Sequence, residues 1–115
     1  MSLWENYNKE RLGFDQIEVE GQGFIAYRIA PPVCFIEDVF IAKEFRRSNL
    51  ALSLANQVAH LAKEQGCNTL QTQVWVGSVG AERAVRTNIA YGFKMIAAQE
   101  NRIIFQKDIG DEHGK

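Results

Sequence analysis

The stretch that most constrains this chain is residues 35–41, Phe35-Ile36-Glu37-Asp38-Val39-Phe40-Ile41, together with the basic turn and helix into which it leads. Read as a strand, it alternates between two faces: Phe35, Glu37, Val39 and Ile41 on one, Ile36, Asp38 and Phe40 on the other. Both faces are apolar, which predicts a strand in the middle of a covered sheet. Each face also carries a carboxylate, a group that is costly to bury without a partner or a use. The turn is Arg46-Arg47-Ser48-Asn49, and the chain runs straight on from it into an amphipathic helix. Backbone amides at a helix start, reinforced by basic side chains, are suited to holding a phosphate. The same residues also suit a solvated turn in which Ser48 or Asn49 is a simple N-cap.

The helix carries Leu50, Leu54, Val58 and Leu61 at helical spacing, with Ala51, Ala55, Ala59 and Ala62 beside them. Gly66 ends it after about 16 residues, or about 24 Å. Residues 69–76 alternate again, with Leu70, Thr72, Val74 and Val76 on one face. Strand, long helix and strand form a βαβ unit, so these two strands should be parallel. Upstream, Ile17 and Val19 share one side of a strand, Gly21-Gln22-Gly23 is a turn, and residues 24–30 return as its hairpin partner. Pro31-Pro32 then redirects the chain into residues 33–41. Downstream, a loop at residues 77–80 leads to a shorter helix over residues 81–90 with Ala81, Ala84, Val85 and Ile89 inward. Gly92 closes that helix, and residues 93–97 and 102–107 make a second hairpin. Residues 1–14 form an N-terminal segment, read as a short helix anchored by Trp4, Tyr7 and Leu12. Residues 108–115 read as a disordered polar tail. The order β-β-β-α-β-α-β-β over residues 15–107 predicts one α/β (α+β) domain, its sheet mixed and largely antiparallel around a central βαβ unit.

With 115 residues, 46% of them apolar, the chain can bury one small core. Thirteen basic against 14 acidic side chains, scattered except for Arg46-Arg47, give no footprint for nucleic acid or a membrane surface. No apolar run is long enough to span a bilayer, and the N-terminus lacks the pattern of a secretory signal. Cys34 and Cys67 fit no metal or redox spacing, and no metal is expected. Two reduced thiols in a cytoplasmic protein are favoured over a disulfide. His60 falls on the exposed half of the first helix, Trp4 and Trp75 read as core or interface residues, and Met95 as packing.

Three segments together give the chain a family likeness. Residues 36–46, Ile36-Glu37-Asp38-Val39-Phe40-Ile41-Ala42-Lys43-Glu44-Phe45-Arg46, resemble the fourth strand and adjoining turn of the GNAT superfamily of acyl-CoA-dependent N-acetyltransferases. Arg46-Arg47-Ser48-Asn49-Leu50-Ala51 resembles that family's pyrophosphate loop, [RQ]-x-x-G-x-[GA], with Asn49 in place of the central Gly. Ala81-Glu82-Arg83-Ala84, with Asn88-Ile89-Ala90-Tyr91-Gly92-Phe93 after it, resembles the family's N-x-x-A-x-x-x-Y-x-x-x-G-F helix.

The resemblance implies acetyl-CoA as co-substrate and a primary amine, on a small molecule or a protein, as acceptor. It implies that Arg46, Arg47, Ser48, Asn49, Leu50 and Ala51 hold the CoA pyrophosphate. Val39, Phe40 and Ile41 would run beside the pantetheine arm, Val39 and Ile41 through backbone groups. The family Gly usually permits a positive φ, and Asn is the best substitute for that conformation. Glu37 would be the base that leaves the amine neutral. Desolvation among Phe35, Val39 and Ile41 would strengthen it for that task, although a structural carboxylate bonded to backbone or an Arg fits the same position. Asp38, on the other face, would pair with a basic side chain.

The family's usual Tyr acid is replaced by Asn88, which could hydrogen-bond the CoA sulfur or pantetheine region. Tyr91, also placed with the coenzyme-binding residues, stands about 60° short of a full helical turn from it. A thiol leaves without a strong acid, so the change is compatible with activity. Only about 14 residues precede the first hairpin, where family members commonly carry a strand and two helices. The acceptor site is therefore expected to be open, or closed by a second subunit in a homodimer. The alternative to an enzyme is a non-catalytic binding module of the same fold that binds CoA or works through protein contacts.

Overall fold

A computed structural model describes residues 13–110, together with residues 3, 9 and 10. The elements come in the expected order: β1 (Asp15–Val19), β2 (Gly23–Ala30), β3 (Val33–Ile41), a single 3-10 turn (Lys43–Phe45), α1 (Leu50–Glu64), β4 (Thr69–Trp75), α2 (Ala81–Tyr91), β5 (Lys94–Gln99) and β6 (Arg102–Asp108). The expected N-terminal helix with Trp4, Tyr7 and Leu12 lies outside the described residues, as do residues 111–115. The first residues assigned to the tail are ordered. Asp108 still belongs to β6, and Ile109 is buried with its amide bonded to the Asn68 carbonyl.

The six strands lie in the order β1-β2-β3-β4-β6-β5. Only β3 and β4 are parallel, as the crossover through α1 requires. Both helices end in the same way. Gly66, at φ 96°, comes after α1, with the Cys67 amide on the Ala62 carbonyl at 2.9 Å and the Gly66 amide on the Lys63 carbonyl at 3.1 Å. Gly92, at φ 110°, closes α2 with the Phe93 amide on the Asn88 carbonyl at 2.9 Å. A side chain at either glycine would strain the left-handed cap.

Leu54, Val58 and Ala62 of α1 pack with Ile25 and Tyr27 of β2, Cys34 and Ile36 of β3, Leu70 and Val74 of β4, and Phe105 of β6. Burying each large apolar side chain stabilises the fold by about 1.5–3 kcal/mol. Ile89 and Met95, expected to pack inward, lie outside, and Trp75, read as core or interface, is not in the core. Ile89, Met95 and Trp75 are each about half exposed. Helix α2 buries no residue completely, leaning on the core through Ala81, Ala84, Val85 and Tyr91. Met95 sits on β5, at the edge of the described sheet, and Trp75 is the last residue of β4, paired with Arg102 of β6 but beyond the stretch that β3 covers.

Candidate functional site

The site begins at an irregularity in β3. Ala26 pairs with Asp38 while Tyr27 pairs with Ile36, so Glu37 is an extra residue opposite no partner, a β-bulge. The bulge resets the alternation. Val39 and Ile41 pair with Ile25 and Gly23, and so share a face with Ile36 and Cys34 rather than with Phe35. The expectation of two covered faces fails beyond this point. Cys34 and Ile36 are buried, whereas Asp38, Val39 and Phe40 are exposed.

At the same place the sheet opens. Strands β3 and β4 pair only through Val33–Thr69, Cys34–Leu70 and Phe35–Gln71. Thr72 Oγ1 donates to the Ile36 carbonyl at 3.1 Å, closing the apex of the fork. Beyond it, residues 37–41 have β2 on one side and, among the described residues, no strand on the other. Two parallel strands diverging from a bulge leave a slot edged by unpaired backbone groups, able to accept an extended ligand carrying amides.

The slot leads to the start of α1. Asn49 is the N-cap, with φ −90°, so this residue is not in the left-handed conformation expected for it. Its neighbours set the turn instead. Ser48 Oγ donates to the Phe45 carbonyl and accepts from the Leu50 amide at 3.2 Å. The first intrahelical bond runs from the Ser53 amide to the Asn49 carbonyl, which leaves the Ala51 and Leu52 amides without partners among the described residues. Together with the helix dipole they favour an anion here. Arg47 is exposed and makes no ion pair among the described residues. Arg46 does not point the same way. Its Nε donates to the Ile41 carbonyl at 2.9 Å and its guanidinium lies 5.8 Å from the centre of the Phe40 ring. The Ile41 carbonyl, expected to face a pantetheine arm, is therefore already engaged.

Glu37 does not sit in an apolar wall. The bulge turns its carboxylate toward Arg28 on the adjacent strand, 3.4 Å away, and Arg28 in turn lies 4.6 Å above the Phe35 ring. The Glu37 side chain keeps 22% of its surface exposed, so water reaches it. Arg28 does not stand out from sequence, although a signal for it exists: it is the only charged residue in β2, and Glu37 and Asp38 are the only charged residues in β3.

The two residues read on α2 separate. Asn88 is half-buried, and its side-chain amide makes no hydrogen bond among the described residues. Tyr91 is committed elsewhere. Its hydroxyl donates to Asn56 Oδ1 of α1 at 2.7 Å, its ring packs on Phe93, and burial pushes its phenol up, keeping it protonated. His60 is a surface residue paired with Glu64 at 3.3 Å. Cys34 and Cys67 are buried free thiols, and burial pushes Cys34 up to about 12.

Comparison with known proteins agrees with this architecture. The Serratia marcescens aminoglycoside N(6′)-acetyltransferase type 1 is 32% identical over 79 residues, covering 69% of this chain. That match spans 50% of the relative, so the chain corresponds to about half the length of the curated relative it matches. Among solved structures, the Escherichia coli ribosomal-protein-S18-alanine N-acetyltransferase superposes with a TM-score of 0.71 at 14% identity, covering 96% of this chain and 79% of its own. The PaiA N-acetyltransferase of Thermoplasma acidophilum, solved with coenzyme A, gives 0.68 at 18% identity, covering 92% and 68%. Residues 3–87 match the acetyltransferase (GNAT) family, and with the bulged strand, the fork and the helix start all inside that span, the chain belongs to it.

Proposed function

We propose that this chain transfers an acetyl group from acetyl-CoA to a primary amine. The observation that carries the reading is the continuity of the fork with the start of α1. An unpaired strand edge beside residues 37–41 leads directly to open amides and an exposed arginine. An elongated ligand with amides along its length and a diphosphate at one end matches that sequence of surfaces. Relatives of this fold solved with coenzyme A support the choice of ligand.

In this reading Val39 offers backbone groups to the pantetheine arm, with Phe40 and Ile41 beside it. Arg47, Ser48, Asn49, Leu50 and Ala51 cradle the diphosphate, with Arg46 holding the strand end against the turn. Bound acetyl-CoA supplies a thioester. Glu37, held by Arg28, accepts a proton from the incoming ammonium through a water, and the amine nitrogen forms its bond to the acetyl carbon as the C–S bond breaks. The Asn88 amide donates toward the departing sulfur, and the second proton leaves the acylated nitrogen through solvent as the thiolate takes one up. The curated relative makes a cationic amino sugar the first acceptor class to test.

Two measurements test this in order. Titrating acetyl-CoA should raise the melting temperature with ligand concentration; a flat response would remove the coenzyme from the reading. A thiol-release screen over amino sugars, polyamines, amino acids and peptides then looks for turnover. Glu37→Gln should lower the rate by about 10²- to 10⁴-fold with coenzyme affinity retained. Binding without turnover on any amine would instead identify a coenzyme-binding module.

A further inference from the structure

One face of the sheet joins the Glu37 carboxylate to an arginine that has no counterion. Phe35 pairs with Arg28 on one side and Gln71 on the other, and Gln71, Gln73 and Trp75 follow at alternate positions of β4 on that same face. Trp75 pairs with Arg102 of β6. Glu37 reaches Arg28, so its carboxylate lies on this face as well. The opposite face carries Cys34, Leu70 and Val74 and packs under α1. A coenzyme whose diphosphate sits at the start of α1 approaches from the helix side. An amine that meets Glu37 therefore comes over the other face, which Trp75 and Arg102 share.

Arg102 is held in place. Its Nη1 donates to Gln73 Oε1 at 2.9 Å, and its guanidinium lies 5.7 Å from the centre of the half-exposed Trp75 ring. Its Nε is buried with no hydrogen-bond partner, and it makes no ion pair among the described residues. A fixed guanidinium with N–H groups to spare is suited to a carboxylate. Charge is segregated at this open end of the face. Glu37 and the exposed Asp38 stand on β3, Arg28 is taken up by Glu37, and Arg102 stands on β6, two strands from β3. Strand spacing and rise put the backbones at Glu37 and Arg102 about 12 Å apart, a span of three to four extended residues. An α-amine loses its proton near about pH 8, well below a lysine side chain, and so asks least of the base. We propose that the acceptor is the N-terminal amine of a peptide with an acidic residue at its third position, whose carboxylate Arg102 binds. This rests on the proposed acetyl transfer and names its acceptor. A polycationic amino sugar would meet Arg102 as a like charge.

The test uses the full chain and three C-terminally amidated peptides, Ala-Ala-Glu-Ala, Ala-Ala-Gln-Ala and Ala-Ala-Lys-Ala, which differ only at the third residue. Thiol release at saturating acetyl-CoA gives kcat/KM, and calorimetry gives peptide binding. The Glu peptide should exceed the Gln peptide by about tenfold, the scale of one charge-assisted hydrogen bond, and the Lys peptide by more. Arg102→Gln should level the three. Arg102→Glu should reverse the order of the Glu and Lys peptides with CoA affinity unchanged, whereas a merely structural role would lower all three alike. The peptide series on the unaltered chain keeps the test alive if a variant folds poorly. Equal kcat/KM across the peptides, an unchanged order in Arg102→Glu, or an amino sugar turned over faster than the Glu peptide would overturn the inference. If no amine is turned over, the transfer reading falls and calorimetry decides. Binding of the Glu peptide that is lost in Arg102→Glu would uphold Arg102 as the carboxylate-binding residue, and no binding by the unaltered chain would overturn it.

Discussion

The two ends of strand β3 both carry large apolar side chains and have opposite fates. Residues 33–35 are hydrogen-bonded on both sides, to β2 and to β4, and Cys34 is fully buried. Residues 37–41 keep only β2, and Val39 and Phe40 are 40% and 49% exposed. Apolar character in a strand therefore does not by itself mean core. At the closed end it fills the space under α1; at the open end it lines a slot. Two features make the difference: the pairing with β4 stops at Phe35, and one extra residue, Glu37, resets the facing of residues 38–41.

The contrast can be broken most severely by core truncation. Leu70→Ala, at the closed end beside Cys34, should cost about 2–5 kcal/mol in urea unfolding, whereas Val39→Ala should cost less than about 1 kcal/mol. Equal losses would mean that the two ends are not energetically distinct. Next in size is a charge reversal at the mouth of the slot. Arg47→Glu should weaken acetyl-CoA binding by about tenfold or more, most strongly at low salt, while stability moves by no more than about 0.5 kcal/mol. A variant that binds as well as the parent would show that the exposed arginine is a solvated turn residue.

The apex of the fork offers a finer probe. Thr72→Val keeps the shape but removes the donor to the Ile36 carbonyl, at a cost of about 1 kcal/mol. Amide exchange should rise around residues 36 and 72 and stay unchanged at residues 33–35; uniform change would deny that Thr72 marks the boundary. The smallest effect concerns pH. Folding lifts Cys34 from about 9 to about 12, so the folded chain prefers the neutral thiol. Its contribution is fully present below pH 9 and is lost as pH rises from 9 toward 12. Melting temperature should thus be insensitive to this group between about pH 6 and 8 and decline at alkaline pH. Cys34 and Cys67 should resist thiol reagents until the chain unfolds. Rapid labelling of native protein at neutral pH would show that the closed end opens.

The strong periodicities are legible in the sequence because they report local physics. The spacing of Leu54, Val58 and Ala62, and the glycines at 66 and 92, state where helices start, face and stop. The βαβ crossover and its parallel pair are dictated by chain connectivity alone. Strict alternation fails at Glu37 because a bulge is a property of two strands, not of one. Only the register against β2 shows which residue is surplus. The same holds for side chains whose partners are remote. Arg28 bonded to Glu37, Arg46 turned back on Ile41, and Tyr91 reaching Asn56 are choices among several chemically reasonable partners, settled by which groups the sheet and helices bring within reach. Asn49 reads as a stand-in for a left-handed glycine, yet the bonds of Ser48 shape the turn without one.

By itself, then, the order of apolar, polar and turn residues determined the element sequence, the parallel pair and the family, since each depends on contacts between near neighbours along the chain or on the cost of burying apolar surface. Only the tertiary structure decided where β3 stops being core, what Glu37 faces and which way the basic turn points. Those depend on a strand register and on distances between segments far apart in sequence, and hydrogen bonds act only over a few ångströms.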